Sequence, residues 1–125
     1  MDNKKDIIKK YFESWIKKDI GIIEEHFSKN IKYIECYGPE YNGINQIRQW
    51  FNNWNKDNNV IKWDIKRFIE NKNTIAVEWF FECEYNKKIE SFDGVSIFEF
   101  DGNDKIIIVK EFQSKAEHIF PYNEK

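Results

Sequence analysis

Cysteine, proline, glycine and methionine are all scarce in this 125-residue chain, at two, two, five and one. The two cysteines, Cys36 and Cys83, lack the Cys-x-x-Cys spacing of zinc and redox sites, and two lone thiols cannot cage a metal. Each lies in a strand-like run and reads as a small buried side chain. The two histidines, His26 and His118, are far apart in sequence, so no metal site is expected. No Pro/Gly/Ser linker divides the chain. One domain over residues 1–125 is expected, and a chain of this length buries roughly two-thirds of its unfolded surface without disulfides. No apolar run approaches the roughly 20 residues that span a bilayer, and none follows a basic start. Neither membrane nor signal peptide is implied, and the cytoplasm is the default address. Net charge is −2, from 20 basic and 22 acidic residues, so there is no positive excess to follow a phosphate backbone and no nucleic-acid partner is expected. Phosphate-cradling glycine loops, nucleophile elbows and zinc signatures are all missing, and no cofactor is implied.

Aromatic residues are abundant instead, at 18% of the chain with five Trp and eleven Phe. That excludes a disordered chain, and large rigid rings are what line small-molecule cavities. Ile7, Ile8, Tyr11, Phe12, Trp15 and Ile16 form the apolar stripe of a first helix over 4–18, and Asp19 can cap a short second helix over 20–27. A strand over 31–37 puts Ile31, Tyr33, Glu35 and Tyr37 on one face. Gly38-Pro39 and Asn42-Gly43 mark a turn, and a third helix over 44–55 follows. Four strands are expected over 60–70, 74–85, 91–100 and 105–114, separated by polar turns. In the first of them Ile61, Trp63, Ile65 and Ile69 share one parity. In the second, Val77, Trp79, Phe81 and Cys83 do. The last two strands are apolar on both parities, which predicts cover on both faces. Helices can cover only the concave side. A second copy of the chain, meeting Val95, Ile97, Ile106, Ile108 and Phe112 on the convex side, is the simplest cover for the other.

The order of these elements, with Trp15 to Asp19, Gly43 before Ile47-Arg48-Gln49-Trp50-Phe51, Phe92-Asp93-Gly94, and Lys105-Ile106 with Glu111-Phe112, resembles the nuclear transport factor 2-like superfamily, in its SnoaL-like bacterial branch. The resemblance implies an α+β cone, with a curved, mostly antiparallel sheet wrapped around three N-terminal helices. It does not imply one activity, because this fold carries isomerases, cyclases, dehydratases, hydrolases and non-catalytic binding modules. Similarity to the ketosteroid isomerases, a standard case of carboxyl pKa tuning, implies a base at Glu35 and a tyrosine donor at Tyr11. The third position, a protonated acid in those enzymes, falls at Ser96, which departs from the pattern.

Glu35 is the anomaly of its strand, an acid on an otherwise aromatic face. It reads either as a general base with a raised pKa or as a structural ion-pair partner of Arg48 or Arg67. Glu111 is a second candidate acid, since alternation turns it and Gln113 to the same side as Ser96. Candidate ligand contacts are Trp15, Tyr33, Trp63, Trp79, Phe81, Phe98 and Gln113, with His118 at the cavity mouth. Two readings remain open. One is a cofactor-free isomerase- or cyclase-type enzyme in which Glu35 or Glu111 moves a proton on an apolar ligand, with Tyr11 and Ser96 holding the oxyanion. The other is a ligand-binding or dimerisation module of the same fold, its cavity holding a passive ligand or filled by side chains.

Overall fold

The computed structural model describes residues 3–122. Helix α1 (Lys4–Lys17) starts where the Asn3 side chain accepts the Asp6 amide, and stops where Lys18 turns left-handed at φ 57°. Its stripe of Ile7, Ile8, Tyr11, Phe12 and Trp15 is buried, as helical spacing demands. Helix α2 (Ile20–His26) is capped by Asp19, which accepts the Gly21 amide. Strand β1 (Phe27–Ile34) begins at Phe27 rather than Ile31 and leads through a turn into β2 (Glu40–Asn42). Helix α3 (Ile44–Asp57) starts at Gly43, whose φ of 87° suits glycine. Strands β3 (Asn59–Asn71), β4 (Thr74–Tyr85), β5 (Lys88–Phe100) and β6 (Ile106–Lys115) complete the chain as a meander. The turn before β5 shrinks to Asn86-Lys87, both at positive φ, as a two-residue hairpin requires.

The sheet has six strands in the order β2-β1-β6-β5-β4-β3. Among the described residues, only β1 and β6 run parallel. The sixth strand, β2, was not expected. Its three residues are too few to show a period, and its place comes from pairing with β1, Tyr41 opposite Tyr33. The three helices with this mostly antiparallel sheet make an α+β cone, whose core joins the α1 stripe to the inward side chains of the sheet. No helix among the described residues is long and apolar enough to cross a membrane.

Two expectations of parity fail at register shifts. In β3, shifts after Val60 and after Ile65 bury Val60 and Trp63 but leave Ile61 and Ile69 exposed, so they do not share one inward face. Between β5 and β6, a shift pairs Phe100 with Ile106 and Glu99 with Ile108. Ile106 is therefore fully buried in the core, not on the outer face. On that outer face Val95, Ile97 and Ile108 are half-buried and Phe112 is exposed.

Candidate functional site

Strand alternation carries Ile31 and Tyr33 inward, Glu35 follows just past the end of β1, and all three are buried. The Glu35 carboxylate is met by two phenols. Tyr41 donates to Oε1 at 2.9 Å, and Tyr37, whose ring lies largely in solvent beyond the strand end, donates to Oε2. The arginines suggested as ion-pair partners are engaged elsewhere, Arg48 with Glu24 and Arg67 with Glu78. Burial raises the Glu35 pKa above the ordinary carboxylate value, and the hydrogen bonds from Tyr37 and Tyr41 pull it part of the way back.

Glu111 ends two hydrogen-bonded relays. In one, Trp15 Nε1 donates to Tyr11 Oη at 3.0 Å, Tyr11 to Tyr33 Oη at 2.6 Å, and Tyr33 to Glu111 Oε2 at 2.6 Å. In the other, Trp79 Nε1 donates to Ser96 Oγ at 2.9 Å, and Ser96 to the same Oε2 at 3.4 Å. Ser96 and Glu111 are direct cross-strand partners. Burial, with the charge of Glu35 adding to it, pushes the Glu111 carboxyl up to about 8 against the opposing hydrogen bonds. The second relay depends on Gly94, which sits opposite Trp79. A Cβ there would overlap the indole ring and the Phe112 carbonyl.

Both acids open onto a cavity of about 830 Å³. Of the residues predicted from sequence, Trp15, Tyr33, Glu35, Trp63, Trp79, Phe81, Glu111 and Gln113 line it. Tyr11, Ser96 and Phe98 do not. They lie fully inside the wall, where the Tyr11 and Ser96 hydroxyls serve the relays and Phe98 packs edge-on against Tyr11 at 5.9 Å. Neither hydroxyl is placed to touch a ligand, because the α1 stripe and the β5 alternation point them into the core. His118 does not guard the mouth. Its Nε2 lies 3.5 Å from Asp93, whose parity is opposite to that of the cavity-lining Phe92. Cys36 is exposed in the turn after β1 rather than buried. Cys83 is buried as expected, with its thiol pushed up to about 11 by burial, then by Glu90 and Glu82.

Sequence reasoning missed Tyr41, Tyr85, Glu90 and Phe92 as wall residues, and treated Trp50 and Trp54 mainly as core. The α3 period did signal the two tryptophans, since both fall on its apolar stripe. Nothing local signals Tyr41, which lies between two turns. Among the described residues, no group of three or more His, Cys, Asp or Glu side chains could hold a metal ion.

This cone, with its cavity between helices and sheet, is the architecture of a known family. The SnoaL-like domain matches residues 8–109, and the chain belongs to that family. Solved structures share the fold at low identity. A protein of Pseudomonas putida, described as a candidate polyketide cyclase, is 14% identical with a TM-score of 0.79 over 90% of this chain and 92% of its own. An epoxide hydrolase of M. tuberculosis is 10% identical with a TM-score of 0.78, over 87% and 80%. A hypothetical protein of Catenulispora acidiphila with a ketosteroid isomerase-like fold, solved in complex with trimethylamine, is 13% identical with a TM-score of 0.76, over 88% and 85%. No curated protein matches the chain in sequence.

Proposed function

We propose that this protein is a cofactor-free proton-transfer catalyst of the isomerase or cyclase type, acting on a hydrophobic ligand inside the cone. The observation that carries this reading is a pair of carboxyls, Glu35 and Glu111, in one aromatic cavity but in different environments. Two carboxyls in different environments can divide the roles of acid and base. Glu35, bonded to two phenols, is the proton acceptor. Glu111, held mostly protonated at neutral pH, is the donor. Glu35 takes a proton from the carbon beside a ligand carbonyl, the C–H electron pair becomes the new C=C bond, and the carbonyl π pair moves onto the oxygen. The O–H of Glu111 stabilises that oxygen until the proton is returned, to the same carbon or, in a ligand with a further C=C bond in conjugation with the enolate, to the far carbon of that bond as the carbonyl re-forms. Tyr11 and Ser96 are then positioning residues, acting through Tyr33 and Glu111 rather than on the ligand.

The test is solvent deuterium exchange into a panel of hydrophobic enolisable ketones, monitored by NMR. Wild-type protein should accelerate exchange, and Glu35→Gln should lower the rate by about 10²–10⁴-fold while ligand still binds. Undiminished exchange in Glu35→Gln overturns the assignment. The second reading, a binding module without chemistry, is favoured by the open cavity, which can hold a passive ligand. A tightly bound co-purifying molecule in native mass spectrometry, with no exchange of any ketone, would support it. In either case the protein acts as a homodimer joined through the outer sheet face around Val95, Ile97 and Ile108.

A further inference from the structure

Among the described residues, the cavity wall carries aromatic rings and carboxyls but no Lys, Arg or His. Of its 22 lining residues eleven are aromatic, three are acidic (Glu35, Glu90 and Glu111), and none is Lys, Arg or His. The chain is rich in basic residues, so the exclusion of every described one from this surface is marked. All five tryptophans, by contrast, line it.

Five of the wall's phenol and indole donors are engaged within the protein. Tyr33 donates to Glu111, and Tyr37 and Tyr41 donate to Glu35. The indole N–H groups of Trp15 and Trp79 donate to Tyr11 and Ser96, behind the wall. A ligand therefore meets aromatic rings, carboxyl groups and neutral amides such as Asn53 and Gln113, with the buried Trp63 Nε1 as an indole donor that has no hydrogen-bond partner among the described residues. Ring faces carry the negative lobe of the aromatic quadrupole, an ionised carboxylate such as Glu35 carries full negative charge, and the protonated Glu111 of the proposed reaction offers only its carbonyl oxygen. An anion is repelled by such a surface. A neutral hydrocarbon gains burial alone. A positively charged group gains from the rings and the carboxylates together, and tryptophan is the strongest of the rings for this purpose.

We infer that the natural ligand of this cavity carries a cationic ammonium group, protonated or methylated, on its hydrophobic body. The inference deepens the proposed function by naming the ligand class of the same site. It rests on the wall alone and not on turnover.

The experiment is titration of the protein's tryptophan fluorescence with two probes of one shape, phenyltrimethylammonium and its uncharged carbon isostere tert-butylbenzene. The ammonium should bind about tenfold more tightly. In Glu35→Gln/Glu111→Gln that preference should shrink while the affinity for tert-butylbenzene holds, which also reports an intact cavity. Equal or tighter binding of the isostere, no binding of either probe at millimolar concentration, or an unchanged preference in the double variant would each overturn the inference. An ammonium preference without ketone exchange leaves this inference standing and removes the catalytic reading. Exchange without the preference does the reverse.

Discussion

Glu111 is the residue on which cavity electrostatics and stability meet. Its carboxyl is pushed from 4.5 to about 8, chiefly by burial. A carboxyl whose folded pKa exceeds its unfolded one binds more protons in the folded state. Its contribution is therefore favourable at low pH, and stability falls as pH rises from 4.5 through about 8. Glu111→Gln removes the titration and keeps an acceptor for Tyr33 and Ser96. The variant should match wild type near pH 5 and exceed it above pH 8, by an amount on the order of a few kcal/mol, partly screened at the cavity surface. Urea melts across that range check this. A wild-type stability that rises through the window would contradict the placement of Glu111.

At the scale of elements, the cavity depends on how β4 and β5 face each other. Trp79 lies across Gly94, and only a hydrogen side chain leaves space for the indole while its Nε1 reaches Ser96. Gly94→Ala should therefore cost about 1–3 kcal/mol through overpacking. It should also shift Trp79 fluorescence, with the thermal midpoint and emission maximum as the measurements. The helices were legible from their stripes, and most of the meander from its turns. Strand β3 was legible in existence but not in facing, because each register shift reverses the parity of the residues beyond it. No residue-type signal marks those shifts in sequence.

For the whole molecule, the remaining question is the outer sheet face. Ile97 and Ile108 lie on it, with Phe112 52% exposed beside Val95 across the β5–β6 ladder. A dimer through this face should sediment at about twice the 15.3 kDa of one chain. Ile97→Lys with Ile108→Lys should return it to monomer without moving the cavity, since both side chains point away from it. A wild-type monomer at micromolar concentration in sedimentation velocity would remove the dimer.

Periodicity and composition by themselves determined the three helices, most of the strands, the inward acid at Glu35 and an aromatic interior, while the α+β cone was implied by the resemblance of their order to the SnoaL-like family. These arise from local spacing, which the chain carries wherever it folds. Tertiary structure alone decided that Tyr11 and Ser96 serve Glu111 from behind the wall, that Tyr37 and Tyr41 rather than arginines meet Glu35, and that His118 turns to Asp93. It also decided that Ile106 is core. These outcomes depend on strand register and on contacts between residues as distant as Tyr33 and Glu111. Alternation says which side a group takes, but only packing says what it meets there.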